Sequence, residues 1–191
     1  GNDFLYGGDG NDRLYGNDGD DSLLGQIGND RLYGGAGDDI LKGETGNDRV
    51  YGNDGNDTIH GGEGDDRLYG NSGDDTIHGG MGSNQVVGGS GADTFIINAD
   101  SFSTIQDFSL NDDLIQVDVD SLNDISIEND YGSTNIKYKN SNIAYLQGIT
   151  FSDLEIRGEI ILDKGRLINS FSNNTENQNS NSLSLLGANS D

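Results

Sequence analysis

Between Leu5 and Phe95 an apolar residue returns at every ninth position: Leu5, Leu14, Leu23, Leu32, Leu41, Val50, Ile59, Leu68, Ile77, Val86 and Phe95. One inward residue between two outward ones predicts a three-residue strand with alternating faces. The six positions ahead of each strand are rich in Gly, Asn and Asp, so each unit reads as a six-residue loop followed by a very short strand. In a frame set at Gly7 the units run GGDGNDRLY (7–15), GNDGDDSLL (16–24), GQIGNDRLY (25–33) and onward to GGSGADTFI (88–96), without an insertion. The opening GNDFLY (1–6) is the last two-thirds of one more unit.

From Ile97 the nine-residue rhythm gives way to ordinary strand patterning. TFIIN (94–98), TIQDF (104–108), DLIQVD (113–118), ISIEN (125–129), TNIKYK (134–139), NIAYLQ (142–147) and DLEIRGEIIL (153–162) predict short strands separated by turn signals. Three regions follow: a repeat array over 1–96, a β-rich segment over 97–168 and a tail over 169–191. Repeat arrays need an end cover to hide their last hydrophobic layer, and the middle region reads as that cover. The tail, NSFSNNTENQNSNSLSLLGANSD, is low-complexity Asn/Ser sequence and is expected to be disordered.

Composition alters this picture in one respect. The 191 residues include 31 Gly but no Pro, Cys or Trp, only 31% are hydrophobic, and the formal net charge is −24. Few apolar residues and strong charge ordinarily indicate disorder, unless the acidic groups share a bound cation. The strict periodicity favours the cation. Nucleic acid is a poor partner for so acidic a chain, whose ten Lys and Arg form no cluster. Without Cys there are no disulfides and no thiolate metal sites, which fits an extracellular protein held together in another way. No apolar run approaches the roughly 18–20 residues of a membrane-spanning helix. Gly1 falls in the middle of a repeat, so the chain reads as a fragment of a longer protein.

The columns of the repeat carry the chemistry. Gly fills the first and fourth positions of every complete unit, where a tight loop needs positive φ or close backbone approach. The sixth position is Asp3, Asp12, Asp21, Asp30, Asp39, Asp48, Asp57, Asp66, Asp75 and Asp93, with Asn84 the one exception. Ordering nine residues costs roughly 1–2 kcal/mol each in backbone entropy, whereas burying one Leu returns about 2–3 kcal/mol. Something else must supply the difference, and an ion is the obvious candidate. A Gly-rich loop offers carbonyls and the Asp adds a carboxylate, the hard oxygen set that calcium takes six to eight at a time. No twelve-residue loop ends in the Glu that an EF-hand requires.

These units match GGxGxDxUx, and the chain resembles the RTX (hemolysin-type calcium-binding) family over residues 1–96. The resemblance implies an all-β, right-handed parallel β-roll that completes one turn for every two nonapeptides, with calcium between successive loops along each edge. It also implies that the Asp of one loop shares an ion with the loop two units on, from Asp3 with Asp21 to Asp75 with Asp93. The fourth-position carbonyls of Gly1, Gly10, Gly19, Gly28, Gly37, Gly46, Gly55, Gly64 and Gly73 would complete the ligand set, for up to about nine ions. The Asp66–Asn84 slot, with a neutral partner, would be the weakest. Residues 1–96 carry 19 acidic and 5 basic side chains, so like charges about 4.8 Å apart would repel without the ion. An unfolded cation-free chain and a cooperative, calcium-driven transition are expected.

Alternation from one unit to the next supports the two-sheet roll independently. Arg13, Arg31, Arg49 and Arg67 recur in every second unit with Tyr15, Tyr33, Tyr51 and Tyr69, while the intervening units carry Leu24, Lys42, His60 and His78 at the ninth position. The region after the repeats is similar to the C-terminal flank of secreted proteases and of modules attached to alginate epimerases. By the same resemblance the tail would hold a type I secretion signal, the alternative being a flexible end without a role. The family implies secretion, folding outside the cell, and support of an effector domain upstream. A second function reads the Arg/Tyr face as a binding surface for an acidic polysaccharide, guanidinium groups suiting carboxylates and Tyr faces suiting sugar rings; the alternative is that Arg and Tyr pack over one another. An ice-binding or adhesion role is disfavoured because the third loop position varies (Asp9, Asp18, Ile27, Ala36, Thr45). His60 and His78 could touch a transition metal or be solvent-facing ladder residues. No nucleophile elbow, HExxH, Walker loop or dinucleotide fingerprint is present, so the chain is not read as an enzyme.

Overall fold

The computed structural model describes residues 1–110, 112–120 and 124–149, together with the backbone of three short strands beyond them. The repeats form a parallel β-solenoid of two sheets. Strands β1 (Phe4–Asp9), β3 (Ser22–Ile27), β5 (Ile40–Thr45) and β7 (Thr58–Glu63) build the first sheet. Strands β2 (Arg13–Asp18), β4 (Arg31–Ala36), β6 (Arg49–Asp54) and β8 (Arg67–Ser72) build the second. The long β9 (Thr76–Ser90) gives its start to the first sheet and its end to the second. Within the repeats every pairing is parallel at an offset of two units, as Arg13 opposite Arg31 and Thr58 opposite Thr76 show.

The eighth-position column is the core. Leu5, Leu23, Leu41, Ile59, Ile77 and Phe95 stack down the first sheet. Leu14, Leu32, Val50, Leu68 and Val86 stack down the second. All but the terminal Leu5 are buried. Each turn therefore adds two apolar side chains to a continuous interior.

The strands are six residues long, not three. Pairing resumes at the second and third positions of the next unit, so that Asn17 faces Gly35 and Asp18 faces Ala36. A corner with positive φ at the second position, as at Asn53 (82°), bends each strand without ending its ladder. The loop proper shrinks to three residues.

The parallel ladder outlasts the repeats. Strands β10 (Thr94–Asn98) and β12 (Leu114–Asp118) prolong the first sheet, and β11 (Ser101–Ile105) prolongs the second. The segment expected to be strand over 104–108 is thus strand over Ser101–Ile105, because Asp107 turns away to bind loop amides. Strand β15 (Ser141–Leu146) lies parallel on β11, and β14 (Ser133–Tyr138) and β13 (Ile125–Asp130) follow antiparallel. Phe108 packs on Phe95 with ring centroids 5.9 Å apart, and the core runs on through Ile115, Ile127, Ile136 and Leu146.

Three further strands, β16 (Ile160–Leu162), β17 (Arg166–Leu167) and β18 (Ser182–Ser184), pair with β12, β16 and β13. The predicted strand over 153–162 is otherwise outside the described residues. So is the tail expected to be disordered, except at Ser182–Ser184, which are strand. Among the described residues no helix is long and apolar enough to cross a membrane.

Candidate metal-binding edges

The three-residue loops line two edges of the solenoid. The first edge, leading into the first sheet, carries Asp3, Asp21, Asp39, Asp57, Asp75 and Asp93. The second carries Asp12, Asp30, Asp48, Asp66 and Asn84. From Asp21 to Asp93 these side chains are buried, at 1–2% exposure.

A fixed hydrogen bond places each carboxylate. The backbone N–H of each sixth-position residue donates to Oδ1 of its counterpart two units on, from Asp3 to Asp21 at 2.7 Å through Asp48 to Asp66 at 2.9 Å. The second oxygen has no such partner. Oδ2 of Asp12, Asp21, Asp30, Asp39, Asp48, Asp57, Asp66, Asp75 and Asp93 is buried without a hydrogen bond. Burying a carboxylate oxygen unpaired is costly. A row of such atoms fits a cation with hard oxygen preference.

Gly at the first position exists for these atoms. A side chain on Gly7 would stand 2.6 Å from the carbonyl oxygen of Gly25 and 3.0 Å from Oδ2 of Asp12. The first-position carbonyls therefore flank the unpaired carboxylate oxygens, a column of acceptors that the sequence pattern alone does not single out. The fourth-position carbonyls point along the edge: a side chain on Gly28 would collide with the carbonyl oxygen of Gly10, and its φ of 142° is one that only Gly accepts readily. Among the described residues no three His, Asp or Glu side chains converge. A cation here would meet at most two such side chains, with backbone carbonyls beside them.

A second ladder is periodic in the sequence, but its role emerges only in three dimensions. The fifth position is Asn or Asp from Asn2 to Asp74. Its Oδ1 accepts the N–H of the fifth position two units on, as Asn11 does from Asn29 at 2.8 Å and Asp38 from Asn56 at 2.8 Å. Fifth and sixth columns thus clamp neighbouring turns in opposite directions.

Burial raises the pKa of the sixth-column carboxyls Asp39, Asp48, Asp57, Asp66, Asp75 and Asp93, with the backbone hydrogen bond opposing and like-charged neighbours adding. Asp57, Asp66 and Asp75 are pushed up to about 7, and Asp48 and Asp93 to about 6. A divalent cation would neutralise the charge that is buried and crowded there.

The edges end differently. On the first, Asp113 continues the column: its Oδ1 accepts the N–H of Asp93 at 3.0 Å and its Oδ2 that of Ser109 at 2.8 Å. On the second, Asn84 accepts from Asp66 at 3.0 Å and donates Nδ2 to the Gly80 carbonyl at 3.3 Å. Asp107 receives the N–H groups of Gly88 and Gly89 at 2.9 and 2.8 Å. Asp113, Asn84 and Asp107 thus each find their partners within the chain.

On the outer face of the second sheet, Tyr15, Tyr33, Tyr51 and Tyr69 stack ring on ring, with centroids 4.8–5.0 Å apart and planes within 5°. Their faces are turned to one another, which leaves ring edges outward. The four Arg of the same face have no carboxylate in ion-pair range among the described residues.

The model of the RTX calcium-binding nonapeptide repeat matches four times, at residues 1–32, 24–59, 33–68 and 60–95. Comparison with curated protein sequences gives no match. Among solved structures the chain is similar to the extracellular lipase LipA from Serratia marcescens, at 18% identity and a TM-score of 0.35, over 80% of this chain and 38% of the lipase. It is also similar to the AlgE6R3 subunit of the Azotobacter vinelandii mannuronan C5-epimerase, at 20% identity and a TM-score of 0.37, over 97% of this chain and 91% of that one.

Proposed function

Because the chain belongs, through residues 1–95, to the RTX calcium-binding repeat proteins, we propose that its edges bind calcium as a ladder and that the roll folds only as they fill. The repeats are calcium-binding, and a roll of such units is a structural rather than a catalytic element. The row of nine buried, unpartnered Oδ2 atoms carries this reading. Calcium, when bound, supplies a divalent charge shared among six to eight oxygens. The chain contributes the rest. Oδ1 of each Asp holds the N–H of the preceding turn, which leaves Oδ2 for the ion. We assign as ligands the sixth-column Asp residues with the carbonyls of the first- and fourth-position Gly residues, for up to about nine ions. The module would be unfolded at the low calcium of a cell interior and fold outside, where it would support the secretion, through type I machinery, and the stability of a neighbouring effector domain. A circular-dichroism titration at about pH 7.5 tests the core of this reading: at that pH strand signal should be missing in excess chelator and rise cooperatively with calcium. Full strand signal in chelator would refute it.

The unpaired Arg row favours a second reading, an acidic polysaccharide laid along Arg13, Arg31, Arg49 and Arg67. The Tyr rings, stacked on each other, would add edges and hydroxyls rather than faces. Alginate affinity that is unchanged in Arg31→Ala and Arg49→Ala would remove the row from any such site.

A further inference from the structure

The outer face of the first sheet carries a feature that the calcium ladder does not use. The chain has two histidines, and the fold sets them side by side: His60 lies opposite His78 in the β7–β9 pairing. Their ring centroids are 5.6 Å apart with planes at 87°. Asn98 stands beside them on β10, two residues beyond Ile96, which is the residue opposite His78, and its Nδ2 lies 3.0 Å from Nε2 of His78. With the amide nitrogen donating, Nε2 of His78 is an acceptor with its lone pair on this side of the ring. Oδ1 of the same Asn98 is buried and has no hydrogen-bond partner. A half-turn of the amide brings that oxygen to the ring nitrogen.

We propose that His60, His78 and Asn98 form a site for one divalent transition-metal ion of the copper, nickel or zinc kind. Imidazole nitrogens bind such an ion at about 2.0–2.1 Å, which holds two ring centroids roughly 5 Å apart, within a small side-chain rotation of the spacing found. The donor set separates this site from the edges. Calcium takes hard oxygens, whereas imidazole suits copper, nickel and zinc. An imidazole is mostly uncharged at neutral pH and keeps a free lone pair for an ion. Lys42, opposite His60 on the other side, is a cation that opposes the ion, while Asp118, opposite Asn98, favours it.

The pair exists only in the folded roll, since the two rings stand two repeat units apart along the chain. The ion should therefore also stabilise the calcium-loaded fold. The test uses the full chain saturated with calcium and titrated with Cu2+. One equivalent should bind, and its electron paramagnetic resonance spectrum should show coupling to two imidazole nitrogens, which in this chain can come only from His60 and His78. Further calcium should not displace it. His60→Gln and His78→Gln should each weaken binding at least tenfold, with the strand signal in calcium verifying that the variants fold, and Lys42→Gln should strengthen it. A spectrum with oxygen ligands alone or a single nitrogen, or an affinity unchanged in the double Gln variant, would overturn the site and leave the histidines as packing residues of the sheet. The spectrum of the unaltered chain decides the question even if a variant does not fold.

Discussion

The two edges of the roll are built from the same nine-residue unit, yet they differ in charge and in strain. The first edge keeps a carboxylate at every sixth position from Asp3 to Asp93 and passes the role on to Asp113. The second has carboxylates from Asp12 to Asp66, and its next positions are Asn84 and then Ser103, which pairs opposite it. The corner residues differ as well. On the first edge the left-handed position holds Gly or Asn, and Asn17, Asn53 and Asn71 donate to the carbonyls of Tyr15, Tyr51 and Tyr69 at 3.3–3.5 Å. On the second it includes Gln26 (φ 79°) and Glu44 (φ 75°), which have no such bond. A periodic fold thus tolerates unequal edges as long as the core column is unbroken.

Removing a carboxylate from the fuller edge should have the largest effect. Asp57→Ala deletes a proposed ligand and also strands the N–H of Asp39, which donates to Asp57 Oδ1 at 2.8 Å. A buried donor left unpaired costs about 1–3 kcal/mol before any loss of calcium is counted. The calcium midpoint of the strand signal should rise more than tenfold. Asn84→Ala strands the N–H of Asp66 in the same way but removes no carboxylate. It should lower stability and leave the number of bound ions unchanged. Equal ion counts in both variants would show that the edges do not differ as ligands.

Proton competition comes next. The folded chain raises Asp57, Asp66 and Asp75 to about 7, well above the ordinary carboxylate value. Between those values the cation-free fold binds protons that the unfolded chain has lost. Its stability is thus greatest below the ordinary value and falls as pH rises through about 7. His60 and His78, whose pKa values burial lowers, act in the opposite sense below their ordinary range. In excess chelator, lowering the pH from about 7.5 to 5 should increase strand signal. In calcium the same change should raise the midpoint. A chelated chain that loses structure on acidification would contradict the assignment of the buried column.

Asn84→Asp should even out the edges. A carboxylate there loses the bond from Nδ2 to the Gly80 carbonyl and gains an unpaired buried oxygen like those of its neighbours. The variant should be less structured without calcium and bind one more ion with it, as calorimetric stoichiometry would reveal. An unchanged count would mean that the second edge is already closed at Asp66.

What the sequence disclosed and what it hid divide along the same physical line. Columns that recur in frame were legible: the eighth-position core, the Asp row, and the two-unit alternation that separates Arg/Tyr from Lys/His. The fifth-position clamp was equally periodic, but Asn and Asp in a loop read as turn formers, and only the coordinates show Asn11 reaching Asn29 in the next turn. The six-residue strands were hidden because Gln26 and Glu44 look unlike corner residues. The end of the ladder was hidden because Asp113 stands two places beyond the position that the frame assigns to the partner of Asp93. Counted back from Asp113, Phe108 stands where a repeat has Gly. So small a change in offset removes a position from the frame while the fold keeps it in the column.

The smallest effect should come from the corners, and it sets strain apart from charge. A residue with a β-carbon costs about 1–2 kcal/mol in the left-handed region, Asn less because its short side chain bonds locally. Glu44 carries that cost with no compensating bond, whereas Asn53 does not. Glu44→Gly relieves the strain against roughly 0.5–1 kcal/mol of extra chain entropy, for a net gain of about 0.5–1 kcal/mol. Asn53→Gly loses its bond to the Tyr51 carbonyl and should gain nothing. Denaturant unfolding of the two variants in saturating calcium measures the difference directly. If both gain equally, the second edge is not the more strained one, and its weakness lies in the missing carboxylates alone.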